Sequence, residues 1–169
     1  MSQGRFRLEL LGKHNRSAFD CGAQELNAYF HSRVSQDAKR HYATCFVAVD
    51  KQDGCIAGYY TLSMGSIALS ELPETLAAKL PRYSQAPVAR LGRLAVDLKY
   101  QGQKLGGALL ADATYRVAQS EIAAYAIVVD ATDINASRFY EHFGFLKLSR
   151  HPKTLFLPIS TAIKALGKK

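Results

Sequence analysis

Apolar and polar positions alternate over residues 5–11, with Phe6, Leu8 and Leu10 on one side, the period of a strand. After Asp20, a candidate N-cap, the period changes. Leu26, Tyr29, Phe30 and Val34 fall at helical spacing and polar, basic residues continue to His41, which predicts one or two helices. Residues 44–49 and 56–63 are β-rich runs joined by Asp50-Lys-Gln-Asp-Gly54, a connector of hairpin length. Pro73, Pro81 and Pro87 make residues 70–87 an irregular or briefly helical connection. Residues 88–96 read as a buried strand, 100–107 as a polar glycine-rich loop, and Leu105, Ala108, Leu109, Ala113 and Val117 as the apolar stripe of a following helix. A second buried strand at 125–129 leads to a short helix over 135–142 that Gly144 ends, and 145–148 and 154–158 read as final strands. The pattern predicts an α/β (α+β) fold, a mixed sheet of about six or seven strands with helices on both faces, in one domain over residues 1–169.

A chain of 169 residues, 48% apolar and 21% charged, is long and apolar enough to fold around a sizeable core and is unlike a disordered chain. No apolar run approaches the roughly 18 residues of a membrane span, and Arg5 and Arg7 precede only a short apolar stretch. Neither a membrane span nor a signal peptide is expected, and the chain reads as cytoplasmic. Cys21, Cys45 and Cys55 are odd in number and widely spaced, and the five histidines are scattered, so neither a disulfide framework nor a metal site is expected. The net charge of +8 comes in blocks. Lys79, Arg82, Arg90, Arg93, Lys99 and Lys104 have Asp97 as the one acid among them, and Lys147, Arg150, Lys153, Lys164, Lys168 and Lys169 have none. If they share a face, that face favours a polyanion; as a solubility charge or a basic tail they would need no partner.

The loop Gln101-Gly-Gln-Lys-Leu-Gly-Gly107 lies between a strand and the N-terminus of an amphipathic helix, where free backbone N–H groups and the helix dipole converge. It is neither a Walker A loop nor G-x-G-x-x-G, and read alone it serves a tight turn as well as an anion. About thirty residues later comes Asp130-Ala-Thr-Asp-Ile-Asn135-Ala-Ser-Arg-Phe-Tyr140-Glu-His-Phe-Gly-Phe145, a strand end feeding a short helix.

In this order the two clusters resemble the GCN5-related N-acetyltransferases (GNAT), whose acetyl-CoA loop reads Gln/Arg-x-x-Gly-x-Gly/Ala. Phe19-Asp-Cys-Gly22 with Leu26-Asn27, Gly58-Tyr-Tyr-Thr-Leu62, Leu91-Gly-Arg-Leu-Ala-Val-Asp97 and Thr154-Leu-Phe-Leu-Pro158 extend the likeness to the acetyltransferase toxins of bacterial toxin–antitoxin pairs (TacT and AtaT type). The resemblance implies a GNAT fold with a mostly antiparallel sheet. It implies that the pyrophosphate of acetyl-CoA lies on the amides of Gln101, Gly102, Gln103, Lys104, Leu105, Gly106 and Gly107. Leu94, Ala95 and Val96 would pair with the pantetheine amides, and Asn135 and Ser137 would line the cofactor's other side. Tyr140 would be the catalytic acid that protonates the departing CoA thiolate, a role favoured on the family pattern over an aromatic packed under the sheet, as Phe139, Phe143 and Phe145 are expected to be. Lys104 stands where the family loop has its first glycine, and a Cβ there is expected to keep φ below zero.

An α-amine titrates near ~8 and a lysine amine near ~10.4, so a lysine acceptor demands a stronger base. The segment from Arg90 through Arg93 to Val96 has no carboxylate before Asp97, and its arginines welcome a phosphate. Both facts suit an aminoacyl-tRNA acceptor, as the toxin resemblance implies, with Arg82, Arg90, Arg93, Lys147, Arg150 and Lys153 as candidate tRNA contacts. The resemblance also implies a ribbon-helix-helix antitoxin, DNA contact only through that antitoxin, and allows a homodimer. The alternatives are a non-catalytic basic module binding RNA or a partner, and acetylation of another amine on a small molecule or protein.

Overall fold

The computed structural model describes residues 4–167, so Lys168 and Lys169 of the basic tail lie outside the described residues. Seven strands hydrogen-bond into one sheet in chain order except that the last two are exchanged, and the contacts of the chain gather into two compact units. One runs to Ser63 and adds Gly92–Ala113; the other is Met64–Leu91 with the chain from Thr114 onward.

In the first unit β1 (Phe6–Leu10) pairs antiparallel with β2 (Thr44–Asp50), and β2 with β3 (Ile56–Ala68), the hairpin expected from the Asp-Gly connector. Phe46 stands opposite Tyr60, and their rings stack at 5.2 Å. The helical stretch is broken at Arg33 into α1 (Gln24–Ser32) and α2 (Val34–Lys39), which bury Tyr29, Phe30 and Val34 against Phe19, Val47 and Tyr59. Asp20 is not the cap: the N-cap is Ala23, without a side-chain bond, while Asp20 accepts from the backbone of Gly22 and from Asn27. A short acceptor near a turn closes its own local ring before a helix three residues on can use it.

The second unit starts in β3 at Met64. The connection over 70–87 is a 3₁₀ turn and a single helical turn, α3 (Glu74–Ala77), and β4 (Gln85–Val96) begins three residues earlier than the prolines suggested. From Val88 to Leu91 β4 runs parallel to β5 (Ala126–Asp130); β7 (Thr154–Pro158) pairs antiparallel with β5, and β6 (Leu146–Lys147) with β7. Ile67, Val88, Ala126, Val128, Leu148 and Phe156 form the core. β5 is buried along Ala126–Val129 as expected, whereas β4 alternates between covered and open positions and is not a fully buried strand. The basic tail is also more than charge: Ile159 and Ala162 are buried, three residues apart, on a helix α6 (Ile159–Gly167).

Candidate active site

The loop after β4 turns through Gly102 (φ +81°) and Lys104 (φ +66°) before α4 (Leu105–Gln119) begins. Lys104 therefore takes a left-handed conformation that favours glycine, against the expectation of a negative φ and at a cost of about 1–2 kcal/mol. The turn so made gathers the amides of Gly102 to Gly107 at the N-terminus of α4. The helix ladder closes first at Ala108, whose N–H reaches the Lys104 carbonyl at 3.2 Å. Adjacent free N–H groups at the positive end of a helix dipole fit a diphosphate. Gly58 allows α4 to come this close, since a Cβ there would stand 2.9 Å from both Leu109 Cδ1 and the Ala95 carbonyl.

The side chain of Gln101 has a second task. Its Nε2 donates to the carbonyls of Val96 at 2.8 Å and Cys21 at 3.0 Å, tying the loop to the strand before it and to the 19–27 segment. That segment is held in turn: Asn27 Oδ1 accepts from Cys21 N–H at 2.9 Å, and the two carboxylate oxygens of buried Asp97 accept from Asp20 N–H at 3.0 Å and Lys99 N–H at 2.9 Å. Asp20, Asn27 and Asp97 are thus supports of the loop, a role with no local sequence signal, since Asp97 reaches Asp20 across 77 residues of chain. The parallel register of β4 with β5 ends at Leu91 opposite Val129, so Leu94, Ala95 and Val96 lie beyond it.

In the second unit α5 (Ile134–His142) is capped by Asp133, whose carboxylate accepts from Ala136 N–H at 2.8 Å. Its end is a Schellman motif: Gly144 at φ +95° donates to the Glu141 carbonyl at 3.0 Å, and Phe145 N–H to the Tyr140 carbonyl at 3.2 Å. Tyr140 is 7% exposed, with its ring 5.1 Å from Phe139 and 5.4 Å from Phe145. Its hydroxyl has no hydrogen-bond partner among the described residues. No fully buried side-chain oxygen there is left unpaired, so the phenol oxygen reaches open space while the ring stays covered. Burial pushes its pKa up to about 12, which keeps the proton on the phenol at neutral pH. Phe145 is buried as expected, but Phe143 is 42% exposed and Phe139 only half-buried. Asn135 is exposed and Ser137 buried; two residues apart, they stand on different faces of α5.

The candidate tRNA cations divide into engaged and free. The Arg93 guanidinium lies 3.6 Å from the Tyr29 ring centroid, and its backbone N–H donates to Thr61 Oγ1 at 3.1 Å. Arg90 Nη1 pairs with Asp130 Oδ2 at 3.2 Å, and Lys147 lies 3.9 Å from Glu141. Arg82, Arg150 and Lys153 are exposed and have no ion pair among the described residues.

A family model described as an acetyltransferase (GNAT) domain matches residues 18–154. The chain belongs to the GNAT acetyltransferase family. Among relatives of this GNAT chain, a tRNA-acetylating toxin of Mycobacterium tuberculosis is 35% identical over 153 residues, 89% of this chain and 90% of its own length. A probable toxin TacT of Sinorhizobium fredii is 27% identical over 164 residues, 92% and 91% of the two chains. Of solved structures, AtaT complexed with acetyl-methionyl-tRNAfMet superposes with a TM-score of 0.88 at 26% identity, over 96% of this chain and 99% of that one. AtaTR bound with acetyl-CoA gives 0.82 at 25%, over 96% and 98%. Among the described residues of this GNAT acetyltransferase no group of His, Cys, Asp or Glu is arranged to hold a metal ion, and no helix is long and apolar enough to cross a membrane.

Proposed function

We propose that the chain, acting over residues 1–169 as one acetyltransferase domain, moves the acetyl group of acetyl-CoA to the α-amine of an aminoacyl-tRNA and so stops translation. The observation that carries this reading is the likeness, along nearly nine-tenths of the chain, to a toxin that acetylates tRNA. Acetyl-CoA supplies the acyl group as a thioester. The chain's own residues do the rest: the amides of Gly102 to Gly107 bind the diphosphate, with Gln101 bracing them, and the β4 edge at Leu94, Ala95 and Val96 orients the pantetheine by main-chain bonds. Asn135 lines the cofactor from α5. Tyr140 gives its proton to the leaving sulfur, and the acceptor amine needs little help to lose its own.

In the cell this reading places the enzyme in the cytoplasm with a ribbon-helix-helix antitoxin that meets DNA on its behalf, and it is compatible with a homodimer. Arg82, Arg150 and Lys153, with no ion pair among the described residues, would meet RNA phosphates most directly, and Arg90 and Lys147, in half-exposed surface pairs, and Arg93, over the Tyr29 ring, would join them. The test is transfer of labelled acetyl from acetyl-CoA to aminoacylated bulk tRNA, with uncharged tRNA and the Tyr140→Phe variant as controls. Label on charged tRNA alone, lost in the variant, is expected. Label on protein lysines at a comparable rate, or none on tRNA, defeats the reading.

A further inference from the structure

Beside α5 lies a cleft of about 530 Å³, walled by the start of that helix and by the segment running into β7. Thr132 and Ser137 bring hydroxyls to the wall, and Arg138, Lys147 and Lys153 bring cations. Ser137 is nine-tenths buried, and its hydroxyl has no hydrogen-bond partner among the described residues. Since no fully buried side-chain oxygen there is left unpaired, the Ser137 oxygen opens into the cleft it lines. A hydroxyl that opens into the cleft without a protein partner is free to donate to a ligand there. Two acids share the wall: Asp133 caps its own helix through Ala136 N–H, and Glu141 stands by Lys147. Arg138 and Lys153 have no ion pair among the described residues. The wall thus offers hydroxyl donors and three cations against two carboxylates, a net positive charge.

We propose that this cleft seats a backbone phosphate of the tRNA substrate, with Ser137 and Thr132 donating through their hydroxyls and Lys153 and Arg138 supplying charge. The inference rests on the reading of the chain as a tRNA acetyltransferase. A phosphodiester is an acceptor-only group carrying one negative charge on two oxygens, which matches hydroxyls and cations and gives Ser137 its missing partner. It also moves Ser137 from the cofactor's flank to the RNA's, since Asn135 and Ser137 cannot face one ligand from the same turn of α5.

The experiment measures binding of aminoacylated bulk tRNA to the full chain, Ser137→Ala and Lys153→Ala across about 50 to 300 mM salt, with acetyl-CoA affinity and acetyl transfer followed on the same preparations. Ser137→Ala is expected to raise the tRNA Kd about tenfold, the value of one hydrogen bond to a charged acceptor. Lys153→Ala is expected to raise it about tenfold and to lower the salt slope by about one. Acetyl-CoA affinity stays unchanged in both. A tRNA Kd and slope unchanged in both variants, against a parent that binds and acetylates tRNA, overturns the phosphate seat alone. Weaker acetyl-CoA binding by Ser137→Ala with tRNA binding intact overturns it too and returns Ser137 to the cofactor. A parent that neither binds nor acetylates tRNA defeats the underlying reading and the seat with it.

Discussion

Phe145 N–H donates to the carbonyl of Tyr140 at 3.2 Å while the two rings lie 5.4 Å apart, so one pair of residues closes the helix end and fixes the phenol. The geometry depends on Gly144 between them at φ +95°, with a left-handed backbone that side chains resist. A Cβ there would meet Leu157 Cδ1 at 3.7 Å, an ordinary contact, so the cost of adding one is conformational. Gly144→Ala is expected to destabilise the fold by about 1–2 kcal/mol and to lower Tm by roughly 3–6 °C. Because the strain falls on the turn that sets Tyr140, kcat should drop more than KM changes. Equal kcat in the variant would separate the motif from catalysis.

The Tyr140 proton gives a pH signature. With the phenol pKa pushed up to about 12 by burial, the acid form is fully populated at neutral pH and is lost only as pH rises through about 12. The acceptor α-amine becomes neutral near pH ~8, so the rate of acetyl transfer is expected to climb to about pH 8 and then stay level to at least pH 10. Tyr140→Phe should cut kcat by about 10²–10⁴-fold with acetyl-CoA binding retained. A fall in rate between pH 8 and 10 on stable charged substrate analogues would assign the acid role elsewhere.

Why part of this was legible in the sequence and part was not follows from how local each rule is. The period-two runs at Phe6, Leu8 and Leu10 and the Asp-Gly connector at 54 act through nearest neighbours and hairpin geometry, and the strands formed where they pointed. The family resemblance implies Asn135 and Ser137 together, whereas the helical advance of 100° per residue, which sequence likeness does not display, puts them on separate faces of α5. Asp20 has a cap's chemistry and was spent on Gly22 and Asn27, bonds visible only once the chain is folded. Charge hid α6: six lysines and arginines drew the reading of the tail, while Ile159 and Ala162 buried themselves beneath it. Lys104 failed differently. A residue's own preference argued for negative φ, and the turn between Gly102 and the start of α4 overrode it.

That override predicts an exchange between stability and binding. Lys104→Gly removes the left-handed Cβ, offset in part by the greater freedom of glycine in the unfolded chain, and is expected to stabilise the protein by about 0.5–1 kcal/mol, or roughly 1–4 °C in Tm. The same change removes an ammonium from the loop that offers its amides to a diphosphate. Acetyl-CoA affinity should fall a few-fold and lose part of its salt dependence. Calorimetry at two salt concentrations separates the effects: tighter binding in the glycine variant would mean that the lysine hinders the loop and does not serve it.

Acid stability should trace to Asp50 in the first unit. Its carboxylate is 1% exposed and takes hydrogen bonds from Arg5 Nη2 at 3.0 Å, the Tyr100 hydroxyl at 2.7 Å and Gln52 N–H at 3.0 Å. Led by the Arg5 guanidinium, these donors hold its pKa down from 3.8 to about 2. A carboxyl whose folded pKa lies below its unfolded one adds stability that is fully present above about pH 4 and disappears as pH falls through about 2. Asp50→Asn is therefore expected to melt lower than the parent at pH 6, with the gap closing between about pH 4 and 2 as the parent's carboxylate takes up its proton. Arg5→Gln should show the same closing gap, since it strips the first of the three donors. If either gap stays constant across that window, the buried ion pair is not the acid-sensitive element, and the loss of stability at low pH must come from carboxylates elsewhere.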